Sequence, residues 1–221
     1  MTSSASSRSA GARPSRARNP EHQASVVEAK KGLILDAAIE TFLHQGYQAA
    51  RIDAIGDQAR VSYATLYKHF PSKEALFEAA VDRLFHRLYE QWKEWPVPNA
   101  VEAGLVSIGT NYCKLVANPV FVKTVRMLIG EVHNFPAMGQ RFMDAKDQFA
   151  NLTDNWLRKK VASGELSIGD VQRGRSEFIG MLSDRAFVPR LFLLDYTLSA
   201  TQTRQLVASA TQTFLARYRV N

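Results

Sequence analysis

The residues whose types and spacing could do chemistry are concentrated in a short stretch around Ser62–Lys73. Tyrosine, threonine, serine and lysine side chains donate hydrogen bonds to phosphate oxygens, and small residues can touch the methyl group of a thymine base. Such a set suits a surface that contacts double-stranded DNA. The candidate contact residues that face outward on the second helix are Tyr63, Ala64, Thr65, Tyr67, Lys68 and His69.

Two short helices joined by a tight turn must position this surface. Ser62 is a favourable N-cap for the second helix, and Pro71 ends it because a residue before proline is pushed out of the helical region. This layout is typical of a helix-turn-helix, whose second helix enters the major groove. A solvated corner of a helical protein is the alternative interpretation. The apolar positions that would pack the pair are Ile52, Ile55, Ala59, Val61, Leu66 and Phe70.

Long helices flank this unit on both sides. Helical periodicity predicts a first helix over roughly Ser25–Gln45, with Gly46 as a stop signal. Ser72 is predicted to cap a long helix that ends before Pro96, with Glu74 favourably placed in its first turn. At 1.5 Å per residue this helix would span about 36 Å.

The second half of the chain also has only helical signals. Asn99, Asn118-Pro119 and Pro136 look like helix starts, and both Ser167–Asp170 and Ser199–Gln202 have the spacing of a capping box. No segment alternates convincingly with a period of two, so we expect an all-α fold. Residues 72–221 would form the C-terminal domain and residues 25–71 the N-terminal one.

Composition excludes several functions. The chain has 221 residues, a formal net charge of +7 and one cysteine, Cys113. A single cysteine permits no intrachain disulfide, which suits the cytoplasm, and Cys113 is read as a small packed residue rather than a redox sensor. No apolar run is long enough for a membrane span. We find no phosphate loop, nucleophile elbow or paired metal spacing, so neither an enzyme nor a metal site or cofactor is expected.

Residues 1–24 are rich in arginine and serine and contain one acid, Glu21. Such a composition cannot bury apolar area, so we predict a disordered basic tail. An organelle transit peptide has a similar composition and is the alternative. The tail would be a dispensable leader, although an arginine-rich arm lying in a DNA minor groove is also compatible with it.

One stretch of the chain is recognisable. Ile34–Ala38, Gly46-Tyr47 and above all Val61–Phe77 (VSYATLYKHFPSKEALF) resemble the DNA-binding domain of the TetR/AcrR family of transcriptional regulators. Val125–Glu131 followed by Phe135-Pro136 is similar to the AefR-like C-terminal domains of that family. The resemblance covers residues 26–80 and, more loosely, the rest of the chain.

The resemblance implies a role for each matching position. Ser62 and Thr65 would open the recognition helix, and Tyr63 and Ala64 would face the bases. The positions implied to contact phosphates or the DNA backbone are Arg51, Tyr67, His69 and Lys73.

At two positions the chain departs from the family. Ala50 stands where the family usually has threonine, and Arg60 where it has glycine in the turn. If residue 60 needs a positive φ, arginine costs about 1 kcal/mol relative to glycine, which a contact between Arg60 and a phosphate would partly offset.

The resemblance further implies a homodimer with an effector site in each C-terminal domain. Two recognition helices about 34 Å apart would match successive major grooves of a palindromic operator. The candidate interface residues are Ile179, Val207, Phe214 and Tyr218. The candidate residues for a small apolar effector are Phe121, Met127, Phe149, Trp156 and Phe178.

The sequence therefore predicts a ligand-responsive repressor that acts in the bacterial cytoplasm, associated with the nucleoid. An effector would shift the long helix from Ser72, with Lys73 near the DNA and Trp92 and Trp95 at the other end. A helical interaction protein that does not bind DNA is the alternative. Salt dependence of duplex binding separates the two, because each phosphate contact contributes to the log–log slope.

Overall fold

The computed structural model describes residues 20–220, with side chains described from residue 25 onward. Over this range the chain forms ten helices and no β-strand; the only β-type pairing is an isolated antiparallel bridge between Leu166 and Arg219. The helices are α1 (Pro20–Ala49), α2 (Ile52–Gln58), α3 (Tyr63–His69), α4 (Lys73–Lys93), α5 (Val101–Ala117), α6 (Pro119–Glu131), α7 (Pro136–Ala162), α8 (Val171–Ala186), α9 (Val188–Phe192) and α10 (Ala200–Tyr218). The all-α prediction is confirmed.

The first helix is longer than its sequence pattern suggested. It begins at Pro20, inside the predicted tail, and continues past Gly46 to Ala49. Gly46 has φ +77° and ψ 168°, which are not helical values, so the regular helix is broken at the predicted stop and a separate helical segment continues to Ala49. Residues 1–19, on which the rest of the predicted disordered tail falls, lie outside the described residues.

Helices α1 to α3 and the start of α4 share one apolar core. Its residues are almost completely withdrawn from solvent, which supplies the main driving force for holding two helices of only seven residues in place. The core residues with at most 1% exposure are Ile34, Ala38, Phe42, Ile55, Leu66, Leu76 and Phe77.

Local capping fixes where α3 and α4 start. The Ser62 hydroxyl accepts a hydrogen bond from the backbone N–H of Thr65 at 3.2 Å, and Ser72 accepts one from Ala75 at 3.1 Å. Each bond satisfies a backbone donor that has no partner within the helix. The predicted starts of α3 and α4 are therefore confirmed.

Helix α4 is the structural link between the two halves of the molecule. Its 21 residues span about 31 Å. Leu76 and Phe77 at one end are buried in the N-terminal core, whereas Phe85 and Trp92 lie further along, against α7. Arg141 of α7 forms ion pairs with Glu78 (2.8 Å) and Asp82 of α4, which ties the two helices together.

The C-terminal half agrees with most predicted helix starts. Asn118 caps α6, Pro136 is the first residue of α7, and Ser199 with Gln202 forms the complete capping box of α10. The first helix of this half is preceded by Ala100, which has no side-chain cap, rather than by Asn99.

Two details of this half differ from the prediction. The cap of α8 is Asp170, not Ser167, because the Ser167 backbone N–H is bonded to the Tyr218 carbonyl at 2.8 Å and its segment is tied to the chain end. The short helix α9 was not predicted, since five residues are too few to show a helical period. No helix in the part of the chain that the structure describes is long and apolar enough to cross a membrane.

Candidate DNA-binding surface and effector cavity

Helix α3 presents one face to solvent and one to the core. Leu66 has no exposed surface and Phe70 only 4%, whereas the Tyr63 side chain is 60% exposed. All the positions on this helix and its cap that were predicted to read or contact DNA are exposed or half-exposed. They are Ser62, Tyr63, Ala64, Thr65, Tyr67, Lys68 and His69.

Side-chain contacts order this face. The rings of Tyr63 and Tyr67 lie 4.4 Å apart between centroids, so each limits the rotation of the other. The hydroxyls of Ser62 and Thr65 are hydrogen-bonded to each other at 2.8 Å. The surface is thus partly pre-organised, which reduces the conformational entropy lost when it binds.

The turn before α3 has the conformation that glycine prefers. Arg60 has φ +54°, and it is the only non-glycine residue with positive φ among residues 20–220. Its side chain is exposed and forms no ion pair with another described residue. Because residue 60 has a positive φ, arginine at this position carries a strain of about 1 kcal/mol relative to glycine.

Two predicted phosphate contacts are engaged within the chain. Lys73 donates from Nζ to the Gln48 carbonyl oxygen at 3.0 Å and lies over the Tyr47 ring at 4.7 Å. Arg51 forms an ion pair with Asp53 on the exposed surface. Hydrogen bonding to Arg51 lowers the pKa of Asp53 to about 2. Either cation would therefore share its charge between an internal partner and a phosphate.

A cluster of aromatic rings joins the N-terminal unit to the C-terminal half. Tyr47 lies 4.8 Å from both Phe77 and Phe135, measured between ring centroids. Its hydroxyl donates to Glu74 at 2.9 Å. Burial, followed by this bond to the Glu74 carboxylate, raises the pKa of Tyr47 above its ordinary value. Beside the cluster, Glu131 accepts a hydrogen bond from Gln48.

The C-terminal half contains a cavity of about 370 Å³. That volume lies in the lower part of the range for sites that bind small molecules, about 300–1,000 Å³. Helices α4, α5, α6, α7 and α8 contribute to its wall, together with Phe187. The apolar lining residues are Phe85, Trp92, Leu115, Val116, Phe121, Phe142, Ala145, Phe149, Ala150, Ile179 and Phe187.

The polar groups of the cavity wall are few and specific. Arg175 donates from Nε to Oδ1 of the buried Asp154 at 2.7 Å. Tyr112 and Ser183, which also line the cavity, are hydrogen-bonded to each other. The remaining polar lining residues are Lys146, Thr153 and Ser176. Sequence reasoning missed Arg175 because nothing in its local pattern distinguishes it from neighbouring arginines of α8.

The five residues predicted to bind an effector lie in different places. Phe121 and Phe149 line the cavity. Phe178 is 1% exposed and packs edge-on against Phe214 in the core, and it does not line the cavity. Met127 is half-buried against the core outside the cavity wall, and Trp156 lines a smaller pocket.

That smaller pocket has a volume of about 150 Å³ and lies beside the main cavity, with which it shares Trp92 and Thr153. Trp92, Trp95 and Trp156 all line it. Asn111, also on its wall, is 5% exposed, and no described group donates a hydrogen bond to its Oδ1.

The four residues predicted for a dimer interface also differ in exposure. Val207 and Phe214 are 1% and 2% exposed within the single chain, so they have almost no surface left for a partner. Tyr218 is 9% exposed and donates to Glu177, while Ile179 lines the cavity. An interface on α8 and α10 would have to use the exposed residues of those helices.

The fold and the exposed α3 face together define a helix-turn-helix regulator with a separate cavity in its C-terminal half. Two family models match the chain, one over residues 34–80 and one over residues 103–220. They describe the tetR family of bacterial regulatory proteins and the C-terminal domain of AefR-like transcriptional repressors. The chain belongs to this family, and it is a DNA-binding transcriptional regulator rather than an enzyme.

Individual relatives agree with this assignment. The fatty acid metabolism regulator protein of Bacillus subtilis is 26% identical over 156 residues, covering 68% of this chain and 78% of the relative. A solved tetR-family regulator from Mesorhizobium loti has a TM-score of 0.77 at 22% identity, covering 88% of this chain and 98% of that one. The flavonoid-responsive regulator FrrA has a TM-score of 0.74 at 26% identity, covering 87% and 98%.

Proposed function

We propose that this regulator represses transcription as a homodimer on palindromic operator DNA in the bacterial cytoplasm, and that a small apolar effector releases it. The observation that carries the proposal is the position of α4. This one helix holds Leu76 and Phe77 in the core that supports α3, and Phe85 and Trp92 on the cavity wall. A ligand that moves the cavity end of α4 therefore also acts on the DNA-binding unit.

Helix α6 provides a second connection between the same two sites. Its third residue, Phe121, lies on the cavity wall, and its last residue, Glu131, accepts the hydrogen bond from Gln48 near the end of α1. An effector releases the protein from DNA only if it binds better to the splayed arrangement of the two DNA-binding units than to the one that fits the operator. Helices α4 and α6 both connect the cavity to the DNA-binding unit, so either can transmit a movement caused by the effector.

The names of two relatives point to apolar chemistries. One is named for the regulation of fatty acid metabolism and the other for its response to flavonoids. These chemistries share a large apolar surface, which also suits the aromatic wall of the present cavity. We therefore propose an effector with a largely apolar body.

Selection of bound sequences from a random duplex pool tests the DNA half of the proposal. We expect an inverted repeat whose half-sites are about one helical turn apart, or a multiple of it. The double variant Tyr63→Ala/Lys68→Ala should lose this selection, whereas Lys123→Ala, an exposed lysine of α6, should keep it. Failure of the wild-type protein to bind any duplex at low ionic strength would refute operator binding.

A cavity-filling variant tests the effector half. Ala150→Phe places a ring in the cavity without changing α3. We expect unchanged operator affinity and no release by compounds that release the wild-type protein. Release of the variant at the same compound concentration would mean that the effector binds elsewhere.

A further inference from the structure

The mainly apolar cavity wall contains one cation that is largely withdrawn from solvent, Arg175. The side chain of Arg175 is only 16% exposed, although it lines the cavity. A ligand that filled the cavity with apolar groups alone would cover this guanidinium and leave its donors without acceptors, which is costly in a low-dielectric site. Arg175 therefore constrains the chemistry of any ligand.

Asp154 fixes the position of this cation but accepts a hydrogen bond from only one of its N–H donors. Asp154 is 2% exposed at its side chain and accepts one hydrogen bond, from Nε of Arg175 at 2.7 Å. A guanidinium carries five N–H donors. No other described residue accepts a hydrogen bond from Arg175, so the four donors on its two terminal nitrogens have no partner among the described residues.

Each cation of the cavity wall has a carboxylate beside it. Arg175 is bonded to the buried Asp154, and Lys146 lies 3.8 Å from Asp147. The geometry of the guanidinium, rather than a net charge, therefore selects the ligand. A guanidinium matches the two oxygens of a carboxylate with parallel hydrogen bonds, which are stronger and more directional than those to a neutral acceptor.

We propose that the effector is an amphipathic carboxylic acid whose carboxylate binds Arg175 and whose apolar body lies among the aromatic residues of the cavity. The inference rests on the proposed effector site and adds its chemical class. The volume of about 370 Å³ favours a medium-sized acid, with an aromatic system or a medium-length chain.

Matched pairs of acid and alcohol test the proposal by titration calorimetry on the full chain. The probes are decanoate with decanol, and 2-naphthylacetate with 2-(2-naphthyl)ethanol. The members of each pair share an apolar body and differ at the oxygen-bearing end. Because an alcohol leaves water more readily than a carboxylate, tighter binding of the acid requires a specific partner. We expect the acid to bind about tenfold more tightly in at least one pair.

A double variant locates the preference. Removal of Arg175 alone would leave Asp154 buried without its counter-ion, so Arg175→Gln is combined with Asp154→Asn. We expect this variant to bind acid and alcohol with similar affinity and to bind the alcohol as the wild type does. Arg173→Gln, an exposed arginine two residues earlier on α8, should keep the preference for the acid.

If the double variant does not fold, as judged by its helical circular dichroism, Arg175→Lys replaces it. Lysine keeps the charge for Asp154 but cannot bind both carboxylate oxygens in parallel. We expect the acid to bind about tenfold more weakly to this variant, with the alcohol unaffected.

The outcomes separate this inference from the proposed function on which it rests. Equal binding of acid and alcohol to the wild type, or a preference that survives in the variants, overturns the inference and leaves the effector site intact. If no probe of either kind binds, both the effector site and the inference are wrong. Acid-selective binding that depends on Arg175 supports both.

Discussion

Gln48, in the last turn of α1, donates a hydrogen bond from Nε2 to Oε2 of Glu131, the last residue of α6, over 3.0 Å. The first residue belongs to the DNA-binding unit and the second to the cavity-bearing half, so the bond crosses between them. Glu131 is 9% exposed and also accepts from Asn134 at 3.1 Å. Both donors bind the same oxygen, Oε2, and Gln48 is the partner that spans the two units.

Gln48→Ala should weaken this connection without disturbing the other partner of Glu131. We expect the free energy of unfolding to fall by about 1 kcal/mol, the usual net value of such a bond. Gln45→Ala removes an exposed glutamine of the same helix that forms no side-chain hydrogen bond to a described residue. Urea denaturation of both variants measures the difference. Equal stability of the two variants would show that the bond contributes nothing.

Arg60→Gly should stabilise the protein. Residue 60 has φ +54°, which glycine adopts without the steric cost that arginine carries. We expect the free energy of unfolding to rise by about 1 kcal/mol. The greater conformational entropy of glycine in the unfolded chain reduces this gain. Arg60→Ala is the control, because it removes the guanidinium and keeps the strain.

The same pair of variants asks whether Arg60 touches DNA. If it contacts a phosphate, both variants should bind operator more weakly and with a log–log salt slope reduced by about 1. Tighter operator binding by Arg60→Gly with an unchanged slope would rule that contact out.

Cys113 should be nearly inert as a nucleophile. It is 5% exposed on α5, and burial raises the pKa of its thiol from 9.0 to about 11. At pH 8 the thiolate fraction then falls about a hundredfold, and reaction with iodoacetamide should slow by at least that factor relative to the unfolded chain. A folded-state rate within tenfold of the unfolded rate would contradict the interpretation of Cys113 as a buried, unreactive thiol.

The raised pKa of Cys113 also predicts a dependence of stability on pH. The unfolded thiol ionises near pH 9 and the folded one only near pH 11. The contribution of the protonated thiol to stability is therefore fully present below pH 9 and is lost as pH rises toward 11. The decline should be smaller in Cys113→Ala, which lacks the titrating group.

Two glycines in helices should respond to alanine in opposite ways. A Cβ at Gly104 would lie 2.1 Å from Cζ2 of Trp156 and 2.9 Å from the Pro98 carbonyl oxygen, whereas a Cβ at Gly130 would meet nothing within 4 Å. We expect Gly104→Ala to lose about 2 kcal/mol of unfolding free energy through overpacking. Gly130→Ala should gain about 0.5 kcal/mol through helix propensity. Similar values for both would mean that the contact with Trp156 relaxes freely.

The exposed tyrosines of α3 should have different effects on operator binding. Tyr63→Ala should change the base sequence selected from a random pool, because this ring is 60% exposed at the start of the helix. Tyr67→Phe should weaken binding to all operators about equally, since it removes one hydroxyl donor to a phosphate. An unchanged selected sequence for Tyr63→Ala would show that Tyr63 does not read bases.

Local signals in the sequence predicted the fold where capping is a local interaction. Ser62, Ser72 and Ser199 each bond to a backbone N–H three residues along, so sequence spacing alone identifies them. Ser167 has the same spacing to Asp170, but the Ser167 N–H is bonded to Tyr218, 51 residues away. Contacts between distant parts of the chain therefore overruled the local pattern at the start of α8.

The cavity could not be predicted residue by residue for a related reason. Phe121 and Phe178 are both apolar positions on amphipathic helices, yet Phe121 lines the cavity and Phe178 packs against Phe214. The rotation of each helix about its axis decides whether such a side chain lines the cavity or packs in the core, and helix packing sets that rotation. Asp154 and Arg175 lie on different helices, 21 residues apart, and no sequence spacing pairs them.

The gathering of Trp92, Trp95 and Trp156 around one small pocket has a practical consequence. These are all the tryptophans of the chain, so emission excited selectively from tryptophan originates around the cavity end of α4. Helix α3 contains tyrosines but no tryptophan and does not contribute to that emission. A shift of emission maximum thus reports occupancy or solvation of the C-terminal half, with no label attached. A dye on the duplex would follow DNA release independently. The delay between the two signals would measure the time between ligand binding in the C-terminal half and release of the DNA.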